Sequence, residues 1–193
     1  MKSLPLDNKQ ISLIGVHGPL NGGKDTVANY YQAKFPDRFA RYAFARPIKQ
    51  ACTVLFGFTS EQMEDRTLKE QDDAFWGFSP RKAMQKLGTE YGRDMLRDDV
   101  WIKRAELELE KNKKIGKGLI ITDVRFENEA KWIRSVPNAI IIYLHVPGLQ
   151  KDARYAHASE AGIEYHADFD ILVENDKTKG LPSLFSILDG VLK

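Results

Sequence analysis

The run Gly18-Pro19-Leu20-Asn21-Gly22-Gly23-Lys24-Asp25-Thr26 carries the densest chemistry in the chain. It fits G-x-x-x-x-G-K, with Asp25 where Ser or Thr is usual. Glycines let successive backbone N–H groups turn inward and form a nest for an anion. A helix opening at the end of the run adds its positive terminus. Lys24 contributes a mobile charge suited to the β- and γ-phosphates of a nucleoside triphosphate. At the magnesium position the Asp25 carboxylate can act through water, and Thr26 offers a neighbouring hydroxyl; spacing leaves both open. The plain alternative, a glycine-rich turn that binds nothing, is opposed by the lysine in register.

A second acid, Asp123, follows the apolar run Leu119-Ile120-Ile121-Thr122. That is the natural place for an acid that holds Mg²⁺ directly or through water. The next residue is Val124, not a carboxylate that could activate water, and Arg125 follows it. Arginine grips phosphate oxygens bidentately, so a cation here suits a second phosphate better than a hydrolytic water. The competing reading is a surface ion pair between Asp123 and Arg125. Guanine-specifying Asn-Lys-x-Asp is absent: Asn112-Lys113-Lys114-Ile115 lacks the acid, and Asn175-Asp176-Lys177 has the wrong order. Phosphoryl transfer rests mainly on positioning and charge neutralisation. Lys24, Arg46, Lys49, Arg81, Arg93, Arg125, Lys151 and Arg154 supply cations for it, although any one alone reads equally as a solvated surface charge.

These residues need elements to hold them. Gln10 to Val16 is short, apolar and β-branched and ends at glycines, which predicts a buried strand. Asp25 to Phe35 predicts a helix ended by Pro36. Phe39 to Ala45 is a second strand, and a helix with Pro47 in its first turn runs to Phe56 before Gly57. Thr59 and Gln62 have capping-box spacing, and Ser79-Pro80 starts a helix carrying Arg81 and Gln85 to about Leu87. Asp98 or Asp99 caps a helix to about Asn112, with Trp101, Ala105 and Leu109 along one stripe. Leu119 to Thr122, Ala139 to Val146 and Phe169 to Val173 complete five strands. Glu127 to Arg134 and Pro182 to Leu192 read as helices. Continuous apolar strands alternating with helices imply an α/β fold: three layers around a central parallel sheet.

Length and composition set the frame. A chain of 193 residues suggests a single domain spanning 1–193, with an insertion at about 46–112 and a polar lid at about 147–168. Hydrophobic content of 42% and charged content of 29% are ordinary for a globular protein. A formal net charge of +2 is too weak to argue for nucleic acid as a partner. The single cysteine, Cys52, sits in an apolar stretch and reads as a core residue; one cysteine fits a reducing, cytoplasmic setting. Asp7 and Lys9 interrupt any leader-like apolar segment, and no apolar run approaches the roughly 20 residues of a membrane helix. His157, Glu160 and His166 match no zinc-ligand spacing.

Several blocks together resemble the bacteriophage-type deoxynucleoside monophosphate kinase family, a branch of the nucleoside monophosphate kinase-like P-loop proteins. They are Gly23-Lys24-Asp25-Thr26, Phe44-Ala45-Arg46-Pro47-Ile48-Lys49, Ser79 to Glu90 (SPRKAMQKLGTE), and Gly92-Arg93. Asp99-Val100-Trp101, Asp123 to Ala130 (DVRFENEA), His157-Ala158-Ser159-Glu160 and Glu174-Asn175-Asp176 follow in order. The resemblance implies ATP with Mg²⁺ as donor and a deoxynucleoside monophosphate as acceptor. It implies that Arg46, Lys49, Arg81 and Arg125 hold the acceptor phosphate, with Arg93 on the same side. Gln85, Gly88, Thr89, Trp101 and Glu129 would line the acceptor base or sugar. Asn175 and Asp176 would lie near the ATP base, and Arg154 would act from the lid. Two departures stand out: Leu20 and Asn21 are neutral where related chains often carry a basic residue, and Leu144-His145 stands where an arginine is common. For Trp101 the residues leave two readings open, stacking on a base or packing along its own stripe. Two alternatives remain: another small-molecule P-loop kinase, such as a dephospho-coenzyme A kinase, and a nucleotide-binding module without turnover. Whether the chain forms a homodimer is not legible.

Overall fold

The computed structural model describes residues 6–148 and 162–193. Lys151, Arg154, His157, Glu160 and most of the expected lid lie outside the described residues. The chain divides into two compact units, one of Met1–Ala43 with Glu106–Lys193, the other of Phe44–Ala105.

The first unit is built on β1 (Leu13–His17), β2 (Phe39–Tyr42), β3 (Gly118–Ile121), β4 (Ala139–His145) and β5 (Asp170–Glu174). The strands lie in the order β2-β3-β1-β4-β5, with every neighbouring pair parallel. Parallel strands buried on both faces need runs of apolar residues, as β1, β3 and β4 show. On one face, Ile14, Val16, Ile120 and Ile142 pack with Val27, Ala28 and Tyr31 of α1 (Lys24–Lys34) and Leu184 and Leu188 of α8 (Gly180–Val191). The other face of β1 is as tight. A Cβ on Gly15 would meet Ile133 of α7 (Glu127–Ser135) at 2.8 Å and Val124 at 3.2 Å.

Strand order creates the place for a site. After β1 the chain crosses to β2; after β3 it crosses β1 to reach β4 on the opposite side. β1 and β3 are hydrogen-bonded neighbours, with Gly15 level with Ile121. The loops leaving their C-terminal ends therefore diverge and open a crevice, the usual ligand position in such sheets.

The second unit holds α2 (Ala45–Phe56), α3 (Ser60–Glu64), α4 (Arg66–Glu70) and α5 (Pro80–Gln85). Its core is Ile48, Cys52, Phe58, Met63 and Ala83, with Phe56, Phe78, Leu87 and Trp101 packed on it. Local signals behave as expected. Thr59 Oγ1 accepts from the Gln62 N–H at 3.1 Å, and Gln62 Oε1 accepts from the Thr59 N–H at 2.9 Å. The Ser79 hydroxyl accepts from the Lys82 N–H at 3.2 Å, with Pro80 in the first turn.

The helix begun at Pro80 does not stop near Leu87. It continues as a π-helix over Lys86–Leu96, ending where the Arg97 N–H reaches the Gly92 carbonyl at 3.1 Å. Gly88 and Gly92 weaken the helical pattern in the sequence, but both are used for close approach. A Cβ on Gly88 would fall 2.9 Å from Ile48 Cδ1, and one on Gly92 would fall 2.7 Å from the Trp101 ring. α6 (Val100–Lys113) then leads toward β3. The second strand ends at Tyr42 rather than Ala45, and Ala45 opens α2. Among the described residues no helix is long and apolar enough to cross a membrane.

Candidate functional site

The glycine-rich run follows β1 and opens α1, as its motif requires. Asn21 and Gly23 take positive φ, 61° and 95°, which turns the loop back under the helix start. The Gly22 N–H closes on the Pro19 carbonyl at 2.9 Å. Gly23, in the cap position, has no side chain to cover the first amides of α1. Lys24 Nζ donates to the Gly18 and Pro19 carbonyls, each at 2.8 Å. Lys24 is thus folded back over the same loop that the motif expects to hold phosphate.

Asn175, expected near the donor base, supports this cradle directly. Its buried side-chain amide donates to the Gly22 carbonyl at 2.8 Å, and its backbone N–H bonds to the His145 carbonyl at 2.7 Å. Asp176 instead caps the short turn Lys177–Lys179, accepting from the Thr178 N–H at 3.0 Å and the Thr178 hydroxyl at 2.7 Å. The hydroxyl and amide of Thr178 hold its carboxyl below the usual range. The same turn brings Lys177 Nζ to 3.5 Å from where a Cβ on Gly23 would stand. Sequence reading passed over Lys177, because nothing local separates it from a surface lysine.

Asp25 turns to Arg41 of β2 and forms an ion pair; Arg41 also donates to Asn29 Oδ1 at 3.0 Å. Asp123 and Arg125 leave the end of β3, both half-buried, on the strand adjacent to the cradle strand. The backbone between and beyond them is clamped from two sides. Glu129, 1% exposed, accepts from the Arg125 N–H at 2.8 Å and the Phe126 N–H at 3.1 Å. Glu129, which the resemblance places beside the acceptor base or sugar, also caps α7 and holds the loop that carries Arg125. From the cradle side, buried His17 bonds through Nδ1 to the Val124 carbonyl at 2.8 Å. Burial lowers the His17 pKa, with Lys24 and Arg125 pushing the same way; the Val124 bond and Asp170 oppose it. The carbonyl can only accept, so Nδ1 donates in this bond, and the lowered pKa favours the neutral ring. No motif marks His17 in the sequence.

Apart from Arg125 and Glu129, the residues expected on the acceptor side sit in the second unit. Lys49 Nζ reaches both oxygens of Glu64 at 2.7 Å, and Arg81 pairs with Glu70. Lys69 joins them: partial burial lowers its pKa first, and the like charge of Lys49 and Arg81 lowers it further. Lys49, Lys69 and Arg81 thus form a cationic group offset by Glu64 and Glu70, a setting suited to an anion. Lys69 was missed because it stands alone in a polar helix. Arg46 is exposed in the first turn of α2, and Gln85 and Thr89 are half-buried along the α5 and π-helical stretch. Arg93 donates to the Asp98 carbonyl at 3.0 Å. Trp101 packs: its Nε1–H donates to the Gly88 carbonyl at 2.7 Å, and its ring edge lies against Gly92.

Comparison with known proteins converges on one group. The family described as deoxynucleotide monophosphate kinase matches residues 58–185. A chain of Acanthamoeba polyphaga mimivirus, assigned as a deoxynucleotide monophosphate kinase, is 32% identical over 183 residues, covering 86% of this chain and 89% of its own. The deoxynucleoside-5'-monophosphate kinase of Escherichia phage T5 is 26% identical over 213 residues, covering 78% and 84%. With the β1–loop–α1 phosphate cradle and the acid–arginine loop beside it on one parallel sheet, the chain belongs to the deoxynucleotide monophosphate kinase family.

Proposed function

We propose that this chain moves the γ-phosphoryl group of ATP onto the phosphate of a deoxynucleoside monophosphate, yielding ADP and the diphosphate. One observation supports this above the rest: an anion cradle ending in Lys24 lies on the strand next to the one that delivers Asp123 and Arg125. A transferase needs such a second phosphate-gripping cation; a sensor that only binds ATP does not. The acceptor is already an anion, so no protein base has to strip a proton from it, and catalysis falls to positioning and charge.

The cradle amides and Lys24 take the donor phosphates, and Asn175 braces the loop at Gly22. Arg125 neutralises charge on the acceptor phosphate or on the group in transfer. Lys49, Lys69 and Arg81, with Arg46 and Arg93, are assigned to the acceptor phosphate; Gln85, Gly88 and Thr89 to its base or sugar. The segment within about 46–112 is the acceptor-binding insertion, and Arg154 acts from the segment 147–168 as a lid. Asp123 and the Thr26 hydroxyl are the donors for Mg²⁺, which would supply charge neutralisation on the donor phosphates. With Asp25 paired to Arg41, its contact with the ion runs through water.

A coupled ADP-release assay across deoxy- and ribonucleoside monophosphates tests this reading, with dephospho-coenzyme A as the competing acceptor. ADP release that depends on a deoxynucleoside monophosphate is expected. Release that responds only to dephospho-coenzyme A, or to no acceptor, rejects it.

A further inference from the structure

Glu129 and its amide bonds account for one side of the loop that carries Arg125. The other side is held by a residue the reaction scheme has not used. His17 is the last residue of β1 and immediately precedes Gly18 of the cradle. Its Nδ1 meets the carbonyl of Val124, the residue between Asp123 and Arg125, at 2.8 Å. The imidazole is 9% exposed, with its centroid 4.7 Å from that of Tyr143 in β4 and Gly162 closing on its outer edge at about 3.6 Å by the Cβ position. Lys24, Arg125 and Asp170 are the charged groups facing it.

We propose that His17 is a positioning residue for Arg125: its Nδ1–H bond to the Val124 carbonyl ties the acid–arginine loop to the donor cradle and fixes where the guanidinium stands. The Val124–Arg125 peptide unit is held on both edges, its carbonyl by His17 and its amide by Glu129, which also accepts from the Phe126 amide. Without the His17 bond that peptide unit keeps its Glu129 bond but loses its tie to β1, so the position of Arg125 relative to the glycine-rich loop is less closely defined. Misplacement of about 1 Å in such a group can cost on the order of 10²-fold in rate. The inference rests on Arg125 being the acceptor-side cation.

The test is a kinetic cycle on the whole chain. His17→Leu removes the donor; His17→Asn keeps an amide N–H near the Nδ1 position; His17→Gln carries its amide farther out, near Nε2. His17→Leu is expected to lower kcat by about 10-fold or more with little change in the KM for ATP, and His17→Asn to recover most of the loss. His17→Gln provides the same reading should the leucine variant not fold. In an Arg125→Ala background, the second substitution is expected to cost less than about 2-fold, because coupled residues are not additive. Full loss persisting in the Arg125→Ala background, or wild-type kinetics in a folded His17→Leu or His17→Gln, overturns the proposal. Wild-type kinetics for Arg125→Ala alone would remove its premise and the acceptor-side reading together.

Discussion

At the residue scale, the cations assigned to the site are held in different ways: Lys24 by backbone carbonyls, Lys49 and Arg81 by glutamates. Lys24 lies over the cradle with two carbonyl contacts, so its charge is already where donor phosphates would arrive. Lys24→Ala is expected to lower kcat by about 10²–10³ while leaving the melting temperature close to wild type. Circular dichroism and the ADP assay together check this, and full turnover in a folded variant would end the cradle mechanism. Arg125 lies on the neighbouring strand's loop, not in the cradle. Arg125→Ala is therefore expected to weaken monophosphate binding or slow transfer far more than it affects ATP binding. Titration calorimetry with each nucleotide alone decides it; equal losses for both would move Arg125 to the donor side.

At the element scale, the second unit depends on the joint between its π-helix and α6. A methyl on Gly92 would sit 2.7 Å from the Trp101 ring and 2.9 Å from the Leu87 carbonyl, and the latter is backbone that cannot turn aside. Gly92→Ala is expected to destabilise the chain by about 1–3 kcal/mol, the usual cost of overpacking. Urea unfolding measures the loss, and a midpoint unchanged from wild type would show that the joint is slack. The same core encloses Cys52, which is fully buried, and burial pushes its thiol up to about 11. A thiol that stays protonated at neutral pH and is shielded from solvent should ignore a thiol reagent until the chain unfolds. Rapid labelling of the native protein would mean that this unit opens readily.

At the scale of the whole molecule, charge and fold point to a small anionic ligand. The net charge is +2, and the lysines and arginines gather at local sites with acids beside them. Binding of duplex DNA is expected to be undetectable by gel shift at about 150 mM salt, where non-specific affinities fall to roughly 10⁻⁴–10⁻⁶ M. A tight, salt-sensitive shift would overturn this expectation and point to a basic surface.

The sequence by itself determined what is local. The cradle is contiguous, so its glycines, lysine and helix start were readable as one motif. β1, β3 and β4 were readable because strands buried on both faces must be apolar throughout. Caps at Thr59 and Ser79 were readable because the partners lie three residues apart. Tertiary structure decided everything that depends on partners far apart in the chain. Only the strand order brings β3 beside β1, and with it the loop of Asp123 and Arg125 onto the strand next to the one that leads to Lys24. Asn175 meets Gly22 across 153 positions, and His17 meets Val124 across 107. A hydrogen-bond partner is set by which groups the fold leaves within reach, and no local pattern records a partner more than a hundred residues away.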